Sequence, residues 1–181
     1  MAEPVRKLIL DDIEDTLSAI VAGTAADGAI FKHDIQTVER VLRTEDEVAT
    51  KLGVGGLPWI GFGPMAASRS KHEPGRRRII MPVLIHFVAA VDGSETIPDY
   101  SDENRSLLAN EILEDIKTAL MFGERTFRGG NAIWTHENED PAHWTDEAWP
   151  RGMMTSSPSP SMLVTGGLIV NVLYEETFQT S

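Results

Sequence analysis

The sequence predicts an α/β protein of the α+β type, in which two main helices pack on a mostly antiparallel sheet and a long irregular excursion precedes the last strand. Few helical segments lie between the predicted strands, which disfavours a doubly wound parallel sheet. Apolar residues recur at helical spacing in two long segments and alternate in two others. A chain of 181 residues has the length of one domain. We therefore predict a single domain over residues 1–181, with an inserted loop at about 128–165.

The first helix is predicted from Pro4 to Val21, with Gly23 as its end signal. Proline suits the first turn of a helix, where its missing N–H would have no partner. The apolar residues recur at spacings of three and four and are Val5, Ile9, Ile13, Leu17 and Ile20. The acidic residues fall mainly between them and are Asp11, Asp12, Glu14 and Asp15. We expect this acidic face to meet solvent or a partner.

Shorter elements follow the first helix. Ile35 to Arg43 mixes apolar and charged residues and fits a short exposed strand. Thr44 to Leu52 fits a short helix, because Thr44 and Glu47 form the capping-box pattern and Gly53 can end it.

Two strands and a connecting hairpin loop are predicted next. Leu57 to Phe62 is a short apolar segment bounded by glycine and proline, which favours a strand. Met65 to Gly75 is polar, basic and rich in turn residues, so we predict a hairpin loop. Arg78 to Val91 gives the clearest strand pattern, with apolar residues on both faces, so that both should be largely covered.

The second main helix is predicted from Ser101 or Asp102, either of which can cap it, to about Phe122. Its apolar residues lie four apart and are Leu108, Ile112, Ile116 and Leu120. Asp92-Gly93 ends the preceding strand, and Gly123 supplies the stop after the helix.

An irregular excursion is predicted from Arg128 to Thr165, where the apolar periodicity is lost. Its Ser-Pro cluster, residues 156–160, is incompatible with a regular element. Loops of this length are usually functional or disordered. The alternation of apolar residues then predicts a final strand from Leu168 to Glu176.

The composition excludes several classes of protein. The chain has no cysteine, which removes disulfides and any Cys-ligated zinc. It has 16 Lys and Arg against 28 Asp and Glu, which gives a net charge of -12. The phosphates of nucleic acid would repel a chain with this charge, which disfavours a function in coating nucleic acid. The first residues, Met1-Ala2-Glu3-Pro4, hold no basic residue, so we do not expect secretion by a signal peptide. The longest apolar run, Ile79 to Val91, is too short to span a bilayer as a helix, and we expect no membrane association.

One segment holds candidate metal ligands. His136 to His143 gathers two imidazoles and three carboxylates, which would chelate a divalent metal if the loop folded back on itself. Pro141 argues against one helix presenting both histidines, and a solvated acidic loop is the simpler interpretation.

No other motif indicates chemistry. Residues 53–56 and 61–63 are rich in glycine but lack the residues of a phosphate or dinucleotide loop, so we interpret them as turn glycines. His86 lies among apolar residues, which favours a hydrogen-bonded histidine of a core or interface over a catalytic base. We therefore predict no catalytic residue, no metal and no cofactor.

Two features indicate contacts between proteins. One is a dense basic run, which suits either a solvated turn or contact with phosphate or an acidic protein surface. Localised charge of this kind also suits the head-to-tail docking of subunits. The other is a concentration of tryptophan in the excursion, which suits either a neighbouring subunit or a small local core. The residues that we predict at a subunit or partner interface are Arg69, Lys71, Arg76, Arg77, Arg78, Trp134, Trp144 and Trp149.

The order of the predicted elements carries a resemblance to a known family. The elements concerned are the opening helix Val5 to Val21, the strand Leu57-Pro58-Trp59-Ile60, the strand Arg78 to Val91 that leads through Asp92-Gly93 into the helix Asn104 to Leu120, and the closing strand Leu168 to Glu176. This layout resembles the tail terminator, or tail completion, proteins of long-tailed bacteriophages. The excursion at 128–165 is longer than the family pattern, so the resemblance implies nothing about its contacts.

The resemblance implies a structural protein of the virion, located in the tail or neck and assembled in the host cytoplasm. Its subunits would form a homo-oligomeric, hexameric ring that caps the tail tube protein, ends tube growth and offers a surface to the head connector or neck protein. No catalytic residue carries over. Six copies at -12 would carry -72, and an acidic lumen would let DNA pass through without specific binding.

Two other functions stay open at this point. A head-to-tail connector or neck protein also forms rings, and it would bind portal or adaptor instead of the tube. A metal-dependent hydrolase would use His136, Glu139, Asp140 and His143, with the excursion as a lid over the site.

Overall fold

The computed structural model describes residues 5–26, 29–66, 68–73, 76–90, 102–121, 125–126, 132–134, 147–153 and 163–177. The helices in these ranges are α1 (Val5–Ser18), α2 (Glu45–Leu52) and α3 (Asp102–Met121), with a single 3-10 turn at Val54–Gly56. The strands are β1 (Ala25–Ala26), β2 (Ala29–Ile30), β3 (Thr37–Glu39), β4 (Trp59–Pro64), β5 (Ser68–Glu73), β6 (Arg76–Ala90), β7 (Arg125–Thr126), β8 (Ala132–Trp134), β9 (Glu147–Met153) and β10 (Leu163–Thr177). Mixed helix and strand content confirms the predicted fold class. Within the described ranges, no helix has both the length and the hydrophobicity needed to cross a lipid bilayer.

Eight of the described strands form one sheet, in the order β3-β4-β6-β10-β8-β7, with β5 paired to β6 and β9 paired to β10. The pairing of β3 with β4 is parallel, and the other strand pairs of this sheet are antiparallel. At its centre, β6 and β10 are 15 residues each and pair without a break from Arg76 with Thr177 to Ala90 with Leu163. The mostly antiparallel sheet is therefore as predicted.

The helices follow the apolar spacing and capping signals of the sequence. Helix α1 buries Ile9, Ile13 and Leu17 and ends at Ser18, three residues before the predicted end. Thr44 accepts a hydrogen bond from the backbone N–H of Glu47, whose own carboxylate accepts from the backbone N–H of Thr44. This reciprocal capping box begins α2 as predicted. Gly53 ends the helix at a φ of +60°, a conformation that favours glycine.

The sheet separates two apolar cores. Helices α1 and α3 cover one face, where the larger core contains Met81, Val83, Ile85, Phe87 and Ala89 of β6, all with no exposed surface. Helix α2 covers the other face at one end only, where a smaller core forms around Val48, Leu57, Trp59, Val88 and Leu163. Side chains of a strand alternate between the two faces, so β6 contributes to both cores.

Two predicted loops contain strands, and those predictions were wrong. Strand β5 lies in the segment assigned to a hairpin loop, while β8, β9 and the first residues of β10 lie in the predicted excursion. Pairing with β6 and β10 stabilises these segments as strands, although their local sequences do not indicate a strand. Strand β9 pairs only with β10 among the described strands, and such an edge position tolerates Pro150.

Two glycines of β10 show why its first part was missed. A Cβ at Gly166 would lie 2.6 Å from Cε1 of Phe87, and a Cβ at Gly167 would lie 2.7 Å from the backbone oxygen of Ile85. Glycine is required here because β10 packs closely against β6. Glycine in a strand suits a close approach of this kind, although the same residue usually indicates a turn in sequence.

Candidate subunit interface

The predicted basic residues lie on the hairpin of β5 and β6. We call residues 69–73 and 76–78 the basic ribbon. The paired positions are Lys71 with Arg78, His72 with Arg77 and Glu73 with Arg76, with a register shift between Arg69 and Lys71. Like charges at directly paired positions destabilise an antiparallel pair of strands. Lys71 and Arg78 form such a like-charged pair, whereas Glu73 and Arg76 carry opposite charges, so the repulsion between the two strands is concentrated at Lys71 and Arg78.

Strand β10 lies on the other side of β6 and supplies acidic residues there. Glu175 is paired with Arg78, and Glu176 is paired with Arg77. The ribbon has five basic residues and one acidic residue, a net charge of +4, which these two glutamates lower to +2 when histidine is neutral. This end of the sheet thus remains basic in a chain whose net charge is -12.

Two of the three tryptophans of the excursion lie in described strands, and backbone pairing places them at different positions along β10. Trp134 is the last residue of β8, which pairs with β10 at Leu173 and Tyr174. Trp149 lies in β9, which pairs with β10 from Leu163 to Leu168. Leu168 and Leu173 are five residues apart, or about 17 Å along a strand. Trp144, the third predicted contact residue, lies outside the described ranges.

The fourth tryptophan, Trp59, belongs to a polar cluster that the sequence did not indicate. The carboxylate of Glu39 accepts hydrogen bonds from Nε of Arg43 at 2.8 Å, Nζ of Lys51 at 2.7 Å and Nε1 of Trp59 at 3.0 Å. These bonds, that of Arg43 first, lower the pKa of Glu39 to about 2. Glu39 is therefore ionised near neutral pH and unsuited to proton transfer there. Its hydrogen bonds connect β3 to α2 and β4.

His86 lies next to this cluster. Its ring meets the ring of Trp59 edge to face, with 6.0 Å between their centroids. Burial lowers the pKa of His86, against the opposing effects of the Glu45 charge and of a backbone hydrogen bond with Arg43. The ring is therefore neutral at physiological pH and is part of the packing around Trp59.

Two glycines of β4 let the chain that follows β3 cross this face of the sheet. A Cβ at Gly61 would overlap the Trp59 ring and the backbone oxygen of Val41, and a Cβ at Gly63 would lie 3.8 Å from the side chain of Leu42. These residues lie inside a strand, so their interpretation as turn glycines was wrong. The crossing requires Gly61 because no side chain fits between the sheet and the chain above it.

The crossing leaves apolar side chains exposed. Val41 is 37% exposed, Leu42 is 45% exposed and Met65 is 43% exposed. The backbone N–H of Met65 donates to the oxygen of Pro82 at 2.7 Å, which places Met65 beside β6.

The same face of the sheet continues along β6 as a partly exposed apolar row. Ile80, Pro82 and Leu84 are half-buried, whereas the alternate residues of this strand face the larger core. Leu84 is paired with Gly63, the glycine against which Leu42 packs. We call Val41, Leu42, Met65, Ile80, Pro82 and Leu84 the open face.

Several acidic residues of the helices are engaged within the chain instead of facing a partner. On α1, Asp11 and Glu14 both bind the guanidinium of Arg40, and the Arg40 hydrogen bond lowers the pKa of Asp11. On α3, the buried carboxylate of Asp115 accepts the backbone N–H groups of Lys32 and His33 at 2.9 to 3.1 Å. The Asp115 contacts fix the segment between β2 and β3 against α3, and Arg40 ties the chain directly after β3 to α1.

The described residues contain no group of three or more His, Asp or Glu that could hold a metal ion. The candidate ligands His136, Glu139, Asp140 and His143 lie outside the described ranges. Glu39 and Asp115 are engaged by hydrogen bonds from Arg43, Lys51 and Trp59 and from backbone N–H groups, so each stabilises the fold.

No model of a known protein family matches the sequence, and no curated protein matches it significantly.

Proposed function

We propose that this protein is a ring-forming assembly protein of the tail terminator type. In this function its subunits cap the last ring of a phage tail tube, end the growth of the tube and join the tail to the head connector. The order of elements that suggested this family is compatible with the α+β fold, whose helix–strand order includes α1, β4, β6, α3 and β10.

The observation that carries the proposal is the basic ribbon in an acidic chain. The ribbon holds five of the 16 basic residues, with Lys71 paired directly to Arg78. Like charges at paired positions weaken a hairpin that stands alone. In the sheet, Glu175 and Glu176 of β10 offset part of this repulsion and leave a net charge of +2 at this end. A negatively charged partner surface would complement that charge, and a second copy of this acidic chain provides one.

A contact between two different surfaces of identical subunits is head-to-tail. Such contacts build a closed ring when the rotation between neighbours divides a full turn evenly, and an open filament when it does not. A tail terminator must form an assembly of fixed size, so its subunits must close into a ring. With the ribbons engaged between subunits, the ring as a whole stays strongly acidic and allows DNA to slide through without phosphate contacts.

Light scattering followed by particle imaging tests this function. A single chain has a mass of 19.9 kDa, and a hexamer would have six times that, about 119 kDa. The protein is measured alone and with the tail tube protein of the same phage. We expect either a ring in solution or a monomer that becomes a ring on the ends of tubes.

A pair of variants with equal charge change makes the test specific. Lys71→Glu reverses a charge of the ribbon, and Arg6→Glu reverses an exposed charge on α1. We expect Lys71→Glu to weaken ring formation about tenfold or more, because like charges across an interface are strongly unfavourable, and Arg6→Glu to leave it unchanged. A monomer that ignores tubes would refute the proposal. Binding to portal or adaptor in place of the tube would indicate the connector.

A further inference from the structure

We infer that the open face is the docking surface for the basic ribbon of a neighbouring copy of this chain. The inference rests on the proposed ring and names the two surfaces that meet in it. Its partner is therefore a second copy, and the contact combines apolar burial with opposite charge.

The apolar part of the surface is built by the fold and is not a scatter of single residues. Leu42 packs against Gly63, Gly63 is paired with Leu84, and Met65 is hydrogen-bonded to Pro82. The exposed side chains are thus neighbours across three chain segments. Contiguous apolar surface of this kind marks a site of interaction on a protein that is otherwise strongly charged.

The cluster around Glu39 fixes the shape of this surface. Arg43 follows Val41 and Leu42 directly, and its bond to Glu39 holds the end of the crossing segment. Trp59, bound to the same carboxylate, lies under the crossing at Gly61. A surface held in one conformation before contact loses less entropy on binding, which suits a site of assembly.

Acidic residues beside the open face match the charge of the ribbon. Glu45 and Asp46 lie in the first turn of α2, within four residues of Leu42, and Asp46 is exposed. Glu45 is near enough to His86, which is paired with Gly61, to influence its pKa. Negative charge therefore borders the apolar surface on the side of α2, where a basic partner gains electrostatic complementarity.

The ribbon that docks there must come from another copy. Strand β6 runs unbroken from Arg76 to Ala90, so the ribbon and the open face belong to one continuous strand. Arg77 and Leu84 are seven residues apart, or about 24 Å along that strand. A chain cannot fold its own ribbon back onto this face without breaking the pairing of β6 with β10. The contact is therefore intermolecular and head-to-tail, as a ring requires.

A pair of leucine variants tests the apolar part of the contact. Leu42→Ser changes the open face, and Leu107→Ser changes a leucine on α3 that is similarly exposed, at 54%. We expect Leu42→Ser to weaken self-association about tenfold in analytical ultracentrifugation, while Leu107→Ser stays close to the unmodified protein. Equal association by the two variants would overturn the inference. So would a loss of thermal stability for Leu42→Ser without a loss of association, because another part of the same chain would then cover the face.

An exchange of charge tests which partner docks. Lys71→Glu on the ribbon and Asp46→Lys beside the open face should each weaken association by about tenfold. An equimolar mixture should restore it, because every contact in an alternating ring then joins opposite charges. Two folded variants that show no restoration on mixing would refute the pairing.

The proposed function and the docking surface can fail separately. If the unmodified protein forms no ring with or without tubes, the proposed function is refuted. If it forms a ring and Leu42→Ser assembles normally, only the docking surface is refuted.

Discussion

Replacing Glu39 with glutamine tests the cluster that holds the open face in place. The substitution keeps the size of the side chain and leaves an oxygen that can still accept from Nε1 of Trp59. It removes the charge that Arg43 and Lys51 bind at 2.8 Å and 2.7 Å. We therefore expect lower stability with little change in packing.

The size of the effect follows from the pKa of Glu39. The lowering of this pKa from 4.5 to about 2 corresponds to a stabilisation of the folded protein by at most about 3.4 kcal/mol, at roughly 1.36 kcal/mol for each pH unit. Solvent screens part of this because the side chain is 22% exposed. We expect Glu39→Gln to lower the free energy of unfolding by about 2 kcal/mol at pH 7.

Urea denaturation of both proteins between pH 2 and pH 7 measures this effect. The folded protein holds the pKa of Glu39 below its unfolded value, so the stabilisation is complete above about pH 4.5 and is lost as the pH falls through about 2. The difference in the free energy of unfolding between the two proteins should therefore be largest near neutral pH. It should decrease as the pH is lowered from about 4.5 to about 2. Glutamine does not titrate, which makes the difference specific to this carboxyl group.

The control is Glu114→Gln, a glutamate whose side chain is 67% exposed and bound to Lys117 at 3.3 Å. It should change stability by less than about 0.5 kcal/mol. If Glu39→Gln behaves like this control at pH 7, or if its effect persists undiminished at pH 2, the carboxylate of Glu39 does not stabilise the fold through its charge.

Three further substitutions test other contacts by urea or thermal denaturation. Gly61→Ala should cost about 2 kcal/mol, because its Cβ would overlap the Trp59 ring; an unchanged midpoint would show that the crossing chain shifts freely. Lys71→Glu should stabilise the monomer by about 0.2–1 kcal/mol, because it would pair with Arg78 as an opposite charge. This gain should shrink in 1 M salt, and a loss of stability would contradict the assigned register. Asp115→Asn should cost about 1–3 kcal/mol, because backbone N–H groups would face an amide in place of a carboxylate; full retention of stability would indicate that water satisfies them.

Local signals predicted the elements whose conformation is determined by residues that are close together in the sequence. The capping box of Thr44 and Glu47, the stripe of α1 and the alternation of β6 each act within a few residues of one another. Strands β8 and β9 were missed because their pairing with β10 is a tertiary interaction. In β10 itself, the predicted strand began only at Leu168, after Gly166 and Gly167, whereas the structure uses these two glycines for close packing against β6.

The sequence located the basic ribbon but not the other features of the candidate interface. The density of arginine located the basic ribbon, since a run of like charge is visible in any sequence. The Glu39 cluster was not found, because Trp59 lies 20 residues from Glu39 and neither residue is unusual in its local context. One signal was present: Gly61 and Gly63 alternate within an apolar strand, a spacing that leaves room on one face for another part of the chain. The open face is formed by the same crossing, so the sequence did not predict it either.

The paired centre of the sheet determines how the molecule would carry a mechanical load. Strands β6 and β10 run antiparallel through 15 consecutive pairs. A force that pulls the two strands along their length, in opposite directions, meets this whole series of transverse hydrogen bonds at once, whereas a force that peels one strand away breaks them one after another. The basic ribbon is at one end of this pair. A neighbour that bound the ribbon would thus apply tension along the paired strands, the direction in which all 15 pairs resist together.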